Sequence, residues 1–362
     1  MRVIIPFIQK LFSLDCLNDS DRIYRMCVIL AQDSHGFEMR DEWNRATDEI
    51  QLSNEQVEQI LSPVFSSKVA SVEKAQGGLA NTNLKIRLVG DEQTYLLRFC
   101  VREPESAARE VALLELVAAK VSVPRITCWS TDNQVTGHPF ILMHWVDGQR
   151  LESVYEEFTA SEIEEIGESL GLTLAAIHSF KFEASGFFDQ SLSIPKPIEM
   201  GGGGLRSYVE DCCSMQIVRE RLGDNLTEKL RIFVNDQSAI LDEWHEKPCL
   251  THCDFNGSNI LVNKSAGFWS VSSVLDWEFA FSGTPFFDFG NLLRPPFGEL
   301  SGLEAAIERG YTRAGGYLTC EWKRMSKLTD LTAWLDFMTR EKAGAALISD
   351  ARKLCLETIE NW

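Results

Sequence analysis

Apolar and polar residues alternate from Val69 to Lys74, again from Asn83 to Val89, and from Thr94 to Val101, where β-branched and apolar residues are dense. Gly77-Gly78 and Gly90-Asp91-Glu92 lie between these runs and read as turns, so the pattern predicts three successive strands. The period then lengthens. Pro104 suits the first turn of a helix continuing through Lys120, with Val111, Leu114 and Val117 at helical spacing. Two more strands are predicted, at 125–130 and 139–145. Beyond Asp147-Gly148 the chain becomes mostly helical. Ser161 and Glu164 predict a capping box for a helix with Ile163, Ile166, Leu170, Leu174 and Ile177 on one face. Gly201 to Gly204 predicts a flexible loop, and helices are expected from about Leu205 to Trp244. A strand-and-loop region from Leu250 to Asp276 interrupts them, and helices resume at Phe287. Residues 1–60 read as short helices with weak patterning, ending in a helix start at Ser53-Asn54-Glu55-Gln56.

A chain of 362 residues with 44% hydrophobic and 24% charged positions has material for a substantial core. Its 35 basic and 53 acidic residues leave a net charge of −18, which argues against a nucleic-acid or anionic-membrane surface as the main partner. A local basic pocket for phosphate is still allowed. The ten cysteines contain no C-x-x-C pair, and Cys212 and Cys213 are adjacent, so buried thiols in a reducing compartment are expected. The apolar run from Val3 to Ile8 is broken by Pro6, too short for a signal peptide, and no run approaches membrane-spanning length. A soluble cytoplasmic protein is the expectation.

The strongest chemical signal is His252-Cys253-Asp254-Phe255-Asn256-Gly257-Ser258-Asn259, followed by the apolar run Ile260 to Val262. It has the form H-x-D-x-x-x-x-N. Asp276 follows Asn259 by 17 residues, in a second apolar run, Val274-Leu275-Asp276-Trp277-Glu278. Phosphoryl transfer needs such a set: a carboxylate to orient the attacking hydroxyl, and an amide with a second carboxylate to hold Mg²⁺ against nucleotide phosphates. Two strands joined by a turn would set Asn259 and Asp276 side by side. A polar loop satisfying its own backbone is the plainer alternative.

In these segments the chain resembles the aminoglycoside phosphotransferase family, small-molecule kinases of the protein-kinase-like fold related to choline, homoserine and fructosamine kinases. The resemblance covers roughly residues 65 to 320. It implies an α+β, bilobal, protein-kinase-like fold, with a small antiparallel β-sheet N-lobe and a larger, mostly helical C-lobe. The implied division is an N-terminal helical extension of unknown role at 1–60, an N-lobe at 61–143, a hinge at 144–148 and a C-lobe at 149–362. The implied activity is transfer of the γ-phosphate of ATP, with Mg²⁺, to a hydroxyl of a small molecule such as an aminoglycoside-like antibiotic, an amino alcohol or a sugar. The alternative is a weak or inactive nucleotide-binding protein.

By the same resemblance Asp254 is the catalytic base, His252 opens the catalytic loop, and Asn259 and Asp276 are the Mg²⁺ ligands. The family usually has Gly where this chain has Cys253. A position that demanded a glycine-only backbone would be strained by Cys; with every metal-binding position intact, the exchange is expected to be harmless. Gly77, Gly78 and Asn81 lie where kinase-like proteins fold a loop over the phosphates. Arg98 and Glu110 match the strand cation and helix glutamate that set a positive charge at the phosphates, with Arg102 and Arg109 as rivals for either role. The backbone of His144 and Val146 corresponds to the groups that bind adenine. His178, on an apolar helix face, reads as a satisfied core histidine. Asp288 is expected to cap the helix that it begins. Only ten residues separate Glu278 from Asp288, leaving no room for a protein-kinase activation segment and favouring a small-molecule acceptor. Glu210, Asp211 and Glu299 are candidates for an acidic acceptor wall selecting a cation, or else solvated surface.

Overall fold

The computed structural model describes residues 50–75, 81–101 and 103–362. Gly77, Gly78, Arg102 and residues 1–49 of the N-terminal extension lie outside them. The first helix, α1 (Asn54–Leu61), starts where its sequence signal stands: the Ser53 hydroxyl accepts the Gln56 N–H while the Gln56 side chain accepts the Ser53 N–H. Strands β1 (Val69–Lys74), β2 (Thr82–Leu88) and β3 (Thr94–Phe99) follow, then α2 (Ser106–Val117), β4 (Ile126–Ser130) and β5 (Phe140–His144). They form one antiparallel sheet in the order β1-β2-β3-β5-β4. β3 is central, and Arg98 on it faces Asn83 on one side and Ile141 on the other. Ile86, Leu97, Phe99 and Leu142 fill the core on the face covered by α1. On the opposite face Ile141 and Met143 meet Ala107 and Val111 of α2.

The short strand β6 (Gln149–Arg150) leads into α3 (Ala160–His178), whose capping box is Thr159 with Glu162. This corrects the expected Ser161–Glu164 box by two residues; both pairs have the same spacing, and Glu162 is additionally fixed by Lys264 and Trp269. Next come α4 (Gly201–Ser214), α5 (Gln216–Leu222) and α6 (Asp224–Gln237). The Gly201–Gly204 run is thus the first turn of a helix, not a flexible loop. A Cβ on Gly204 would sit 2.2 Å from the Glu199 carbonyl oxygen, and one on Gly202 would sit 2.6 Å from that of Ser238. Close backbone packing, rather than flexibility, demands glycine there.

The remaining strands are β7 (Cys249–Thr251), β8 (Ile260–Ser265), β9 (Phe268–Val274) and β10 (Phe281–Gly283). β7 pairs with β10, and β6-β8-β9 make a small antiparallel sheet. Four helices complete the chain: α7 (Phe286–Leu292), α8 (Leu303–Arg313), α9 (Trp322–Thr339) and α10 (Ala345–Glu360). One large core joins them, with Phe255, Trp277, Phe281 and Phe289 buried at its centre, and it takes in Leu113, Leu114 and Val117 of α2. Helix α2 therefore packs its first half on the sheet and its second half on the helical part. No disulfide joins the described cysteines, most of which are buried. Among the described residues no helix is long and apolar enough to cross a membrane.

Candidate active site

The loop between β7 and β8 carries the H-x-D-x-x-x-x-N segment. His252 is fully buried, and its two ring nitrogens have different tasks. Nε2–H donates to the Leu275 carbonyl at 2.8 Å, and Nδ1 accepts the Asp254 N–H at 3.2 Å. That pair of bonds requires the neutral ring, and burial pushes the imidazole below its usual range, in the same direction. The ring packs edge to face on Trp277, with centroids 4.7 Å apart. His252 thereby ties the loop to the end of β9 while holding the backbone of Asp254.

The Asp254 carboxylate is held at both oxygens. The Asn256 Nδ2 donates to Oδ1 and the Asn259 Nδ2 to Oδ2, each at 2.6 Å, and Asn259 also donates to the Asp254 carbonyl at 3.0 Å. With its NH₂ so engaged, Asn259 keeps Oδ1 as a further oxygen donor. Antiparallel pairing of β8 with β9 continues one step past β9, where the Leu275 N–H donates to the Asn259 carbonyl at 2.8 Å. Asn259 and Asp276 therefore end on adjacent strand termini, as the strand–turn–strand pattern predicts. Asp276 has φ +63°, a left-handed conformation that aspartate tolerates better than most residues.

Arg98 reaches Asp276 from the other part of the molecule. Its Nη2 lies 2.6 Å from Asp276 Oδ1 and 3.6 Å from Glu278 Oε2, and its Nη1 lies 3.3 Å from Glu110 Oε1. The guanidinium is thus surrounded by carboxylates from α2 and from the segment after β9. Their charges raise its pKa further against the opposing effect of burial, so it is a fixed cation. Burial pushes the Glu110 carboxyl up, and Arg98 pulls it back. Between the candidate cations, Arg98 pairs with Glu110, whereas Arg109 binds Glu103 at 3.2 Å and the Glu278 carbonyl at 3.5 Å.

Asn81 is buried, and its side chain bridges two parts of the site: Nδ2 donates to Glu278 Oε2 at 3.1 Å and Oδ1 accepts the Val101 N–H at 3.3 Å. It ties the residue ahead of β2 to the segments that follow β3 and β9. The His144 side chain turns to the Arg125 guanidinium, 2.9 Å away, and the His144 backbone N–H donates to the Arg125 carbonyl at 2.8 Å. No catalytic pairing involves that ring.

Two expectations are corrected here. Cys253 has φ +67°, so its position does require the conformation that glycine adopts freely, and the exchange is not neutral for the backbone. Asp288 does not cap α7, whose start has no side-chain cap. It lies in the first turn and faces the 252–259 loop: Oδ1 accepts the Cys253 N–H at 2.7 Å, and Oδ2 accepts the His252 N–H at 2.9 Å. The expected core histidine, His178, donates from Nε2 to the same Oδ2 at 3.0 Å and meets the Tyr311 hydroxyl at its other nitrogen, also at 3.0 Å. Two polar residues had no assigned part in the sequence reading, Glu278 and Asn256. A carboxylate two residues beyond Asp276 in an apolar run, and an Asn two residues beyond Asp254, were the available signals.

Glu210 points to Arg231 at 2.7 Å on the surface, and Glu299 is exposed. Neither lines the cavity between α4 and α7.

A family model, the phosphotransferase enzyme family, matches residues 71–322. The chain is similar in structure to the GDP and kanamycin complex of the aminoglycoside phosphotransferase APH(2″)-IIIa, with a TM-score of 0.65 and 18% identity over 85% of this chain and 99% of that one. It is similar also to the macrolide 2′-phosphotransferase MphH of Brachybacterium faecium, with a TM-score of 0.57 and 17% identity over 83% and 97%. A third likeness is to the ADP-bound aminoglycoside phosphotransferase APH(2″)-Ib, with a TM-score of 0.58 and 17% identity over 85% and 99%. No curated protein matches the sequence.

Proposed function

The chain belongs to the phosphotransferase enzyme family, and on that premise we propose that it moves the γ-phosphate of ATP, with Mg²⁺, to a hydroxyl of a small molecule. The observation carrying the reading is the doubly held Asp254 carboxylate beside Asn259 and Asp276. A base for an alcohol need only orient the O–H and receive its proton as the phosphoryl group arrives. Asp254 suits that task because Asn256 and Asn259 fix both of its oxygens. Its protonated form would return the proton to solvent after product leaves.

The donor set fits Mg²⁺. Asn259 Oδ1 and the Asp276 carboxylate are hard oxygens, and the described residues hold no cluster of His, Cys, Asp and Glu that would form a closed protein cage. A small, strongly hydrated cation takes one or two protein oxygens and completes its shell with phosphate and water. When bound it supplies charge neutralisation at the β- and γ-phosphates. Arg98, held by Glu110, supplies a second positive charge on the phosphates, and Asn81 binds the same Glu278 oxygen that faces Arg98. The backbone of His144 and Val146 reads the adenine. In this reading 61–143 is the nucleotide lobe, 144–148 the hinge and 149–362 the acceptor lobe, with 1–60 an added segment. The enzyme works in the cytoplasm without nucleic-acid or membrane partners.

The test is ADP release from MgATP by the purified chain over a panel of hydroxyl compounds, in wild type and Asp254→Asn. Loss of a positioned base should cost about 10²–10⁴-fold in turnover. A variant at near-full rate on the best acceptor would remove Asp254 from the chemistry.

A further inference from the structure

A partly open pocket lies beside α7. Ile198 and Met200 wall it ahead of α4, Leu205 and Tyr208 contribute from α4, and Phe286 and Phe287 from α7. Thr329 and Thr332 of α9 also face it, yet the polar groups of this wall are satisfied within the protein. The Tyr208 hydroxyl donates to the Thr332 carbonyl at 3.2 Å, the Thr332 hydroxyl to the Thr329 carbonyl at 2.7 Å, and the Thr329 hydroxyl to the Met325 carbonyl at 2.8 Å. With those donors directed into helix backbone, the cavity presents mainly rings, methyl groups and a thioether, beside Thr284. The one ionic residue on the lining is Glu199, which is exposed.

Its position links it to the catalytic loop. Phe286 and Phe287 immediately precede Asp288, the carboxylate that fixes the N–H groups of His252 and Cys253 just before Asp254. Wall and loop are therefore set by the same turn of α7. A polyamine placed in this cavity would lose water from several ammonium groups with a single rim carboxylate to receive them, a costly exchange. An apolar body gains by the same transfer.

Building on the phosphotransferase reading, we propose that this cavity seats the body of the acceptor, and that the acceptor is an alcohol with an apolar ring or chain rather than a polycationic sugar. The probes are a homologous series from 2-phenylethanol to 6-phenylhexan-1-ol, with kanamycin as the polycation. Binding is measured by calorimetry on the full chain with Mg²⁺ and a non-hydrolysable ATP analogue, and turnover by ADP release from MgATP. The dissociation constant should fall about three- to fourfold per added methylene. Met200→Gln should raise it about tenfold or more for the longest member, through loss of apolar contact. Leu205→Gln provides a second wall variant should the first disturb folding. A flat series, or kanamycin binding more tightly than every phenylalkanol and indifferent to both variants, would overturn the proposal. Kanamycin phosphorylated under those conditions would leave the transferase reading standing without this acceptor class. A graded, wall-sensitive series with no ADP released by any compound would do the reverse, keeping the ligand class and removing the transferase reading.

Discussion

The Asp288 carboxylate accepts the backbone N–H of Cys253 at 2.7 Å, across 35 residues of sequence. Asp288 is fully buried, and its other oxygen receives both the His252 N–H and His178 Nε2. A buried carboxylate is tolerated when its lone pairs are filled by donors, and here two of those donors belong to the loop that presents Asp254. Helix α7 thus fixes the 252–259 loop, chiefly through Asp288, with Asn291 Nδ2 adding a bond to the Cys253 carbonyl at 3.4 Å.

Asp288→Asn keeps the volume, removes the charge and points an NH₂ group at N–H donors. A loss of about 2–4 kcal/mol in unfolding free energy is expected, since hydrogen bonds to charged groups are worth about 1.5–3 kcal/mol each and the new donor finds no acceptor. Turnover should fall further than nucleotide affinity. Chemical denaturation and ADP-release kinetics read both, and an unchanged denaturation midpoint would contradict the assigned role.

Cys253 sits on this loop at φ +67°. A non-glycine residue held there costs about 1–3 kcal/mol, which Cys253→Gly should largely recover, less the greater entropy glycine has when unfolded. Cys253→Ala keeps a Cβ and should recover none of it. A Cys253→Gly melting temperature at or below that of Cys253→Ala would show that the backbone is not strained there.

Much of this was readable in the sequence because period and spacing report local structure. Alternation marked the strands of the main sheet, and the distance from Asn259 to Asp276 marked two strands meeting at their ends. What was not legible came from tertiary partners. Asp288 near a helix start reads as a cap, and only the fold turns it towards His252 and Cys253. Four consecutive glycines read as a flexible loop, because propensity ignores that the Glu199 and Ser238 carbonyls press on Gly204 and Gly202. Glu278 and Asn81 stand 197 residues apart, and no local pattern announces their contact.

Arg98 is the cation shared by Glu110, Asp276 and Glu278. Arg98→Met strands buried carboxylates, a change that costs about 3–5 kcal/mol at neutral pH. Burial already holds the Glu110 carboxyl above its usual range, and loss of Arg98 removes the attraction that opposes this. A carboxyl raised in the folded state contributes stability that is full below its unfolded pKa and is lost as pH rises through the folded value. The destabilisation should therefore shrink at pH 5 and grow at pH 8. Urea midpoints differing from wild type by the same amount at both pH values would argue against this account.

Asp336 should give the protein a second pH response, away from the 252–259 loop. It is fully buried on α9, one helical turn beyond Thr332 on the cavity wall, and Arg340 holds its Oδ2 at 3.0 Å. Oδ1 finds no hydrogen-bond partner among the described residues. Burial is the dominant influence and pushes the carboxyl up to about 7, with Arg340 pulling the other way. Between roughly pH 4 and pH 7 the folded chain then holds a proton that the unfolded chain has released. Stability must fall as pH rises across that window, by an amount on the order of 4 kcal/mol at about 1.36 kcal/mol per pH unit. Asp336→Asn supplies an uncharged side chain of the same shape at every pH, so its unfolding free energy should be nearly flat there and exceed wild type at pH 8. Arg340→Met should extend the fall to higher pH, because it removes the charge that favours ionisation. Urea unfolding from pH 4.5 to 8.5 separates the cases: a wild-type profile that Asp336→Asn leaves unchanged would mean that the carboxylate is ionised throughout and that Arg340 outweighs burial.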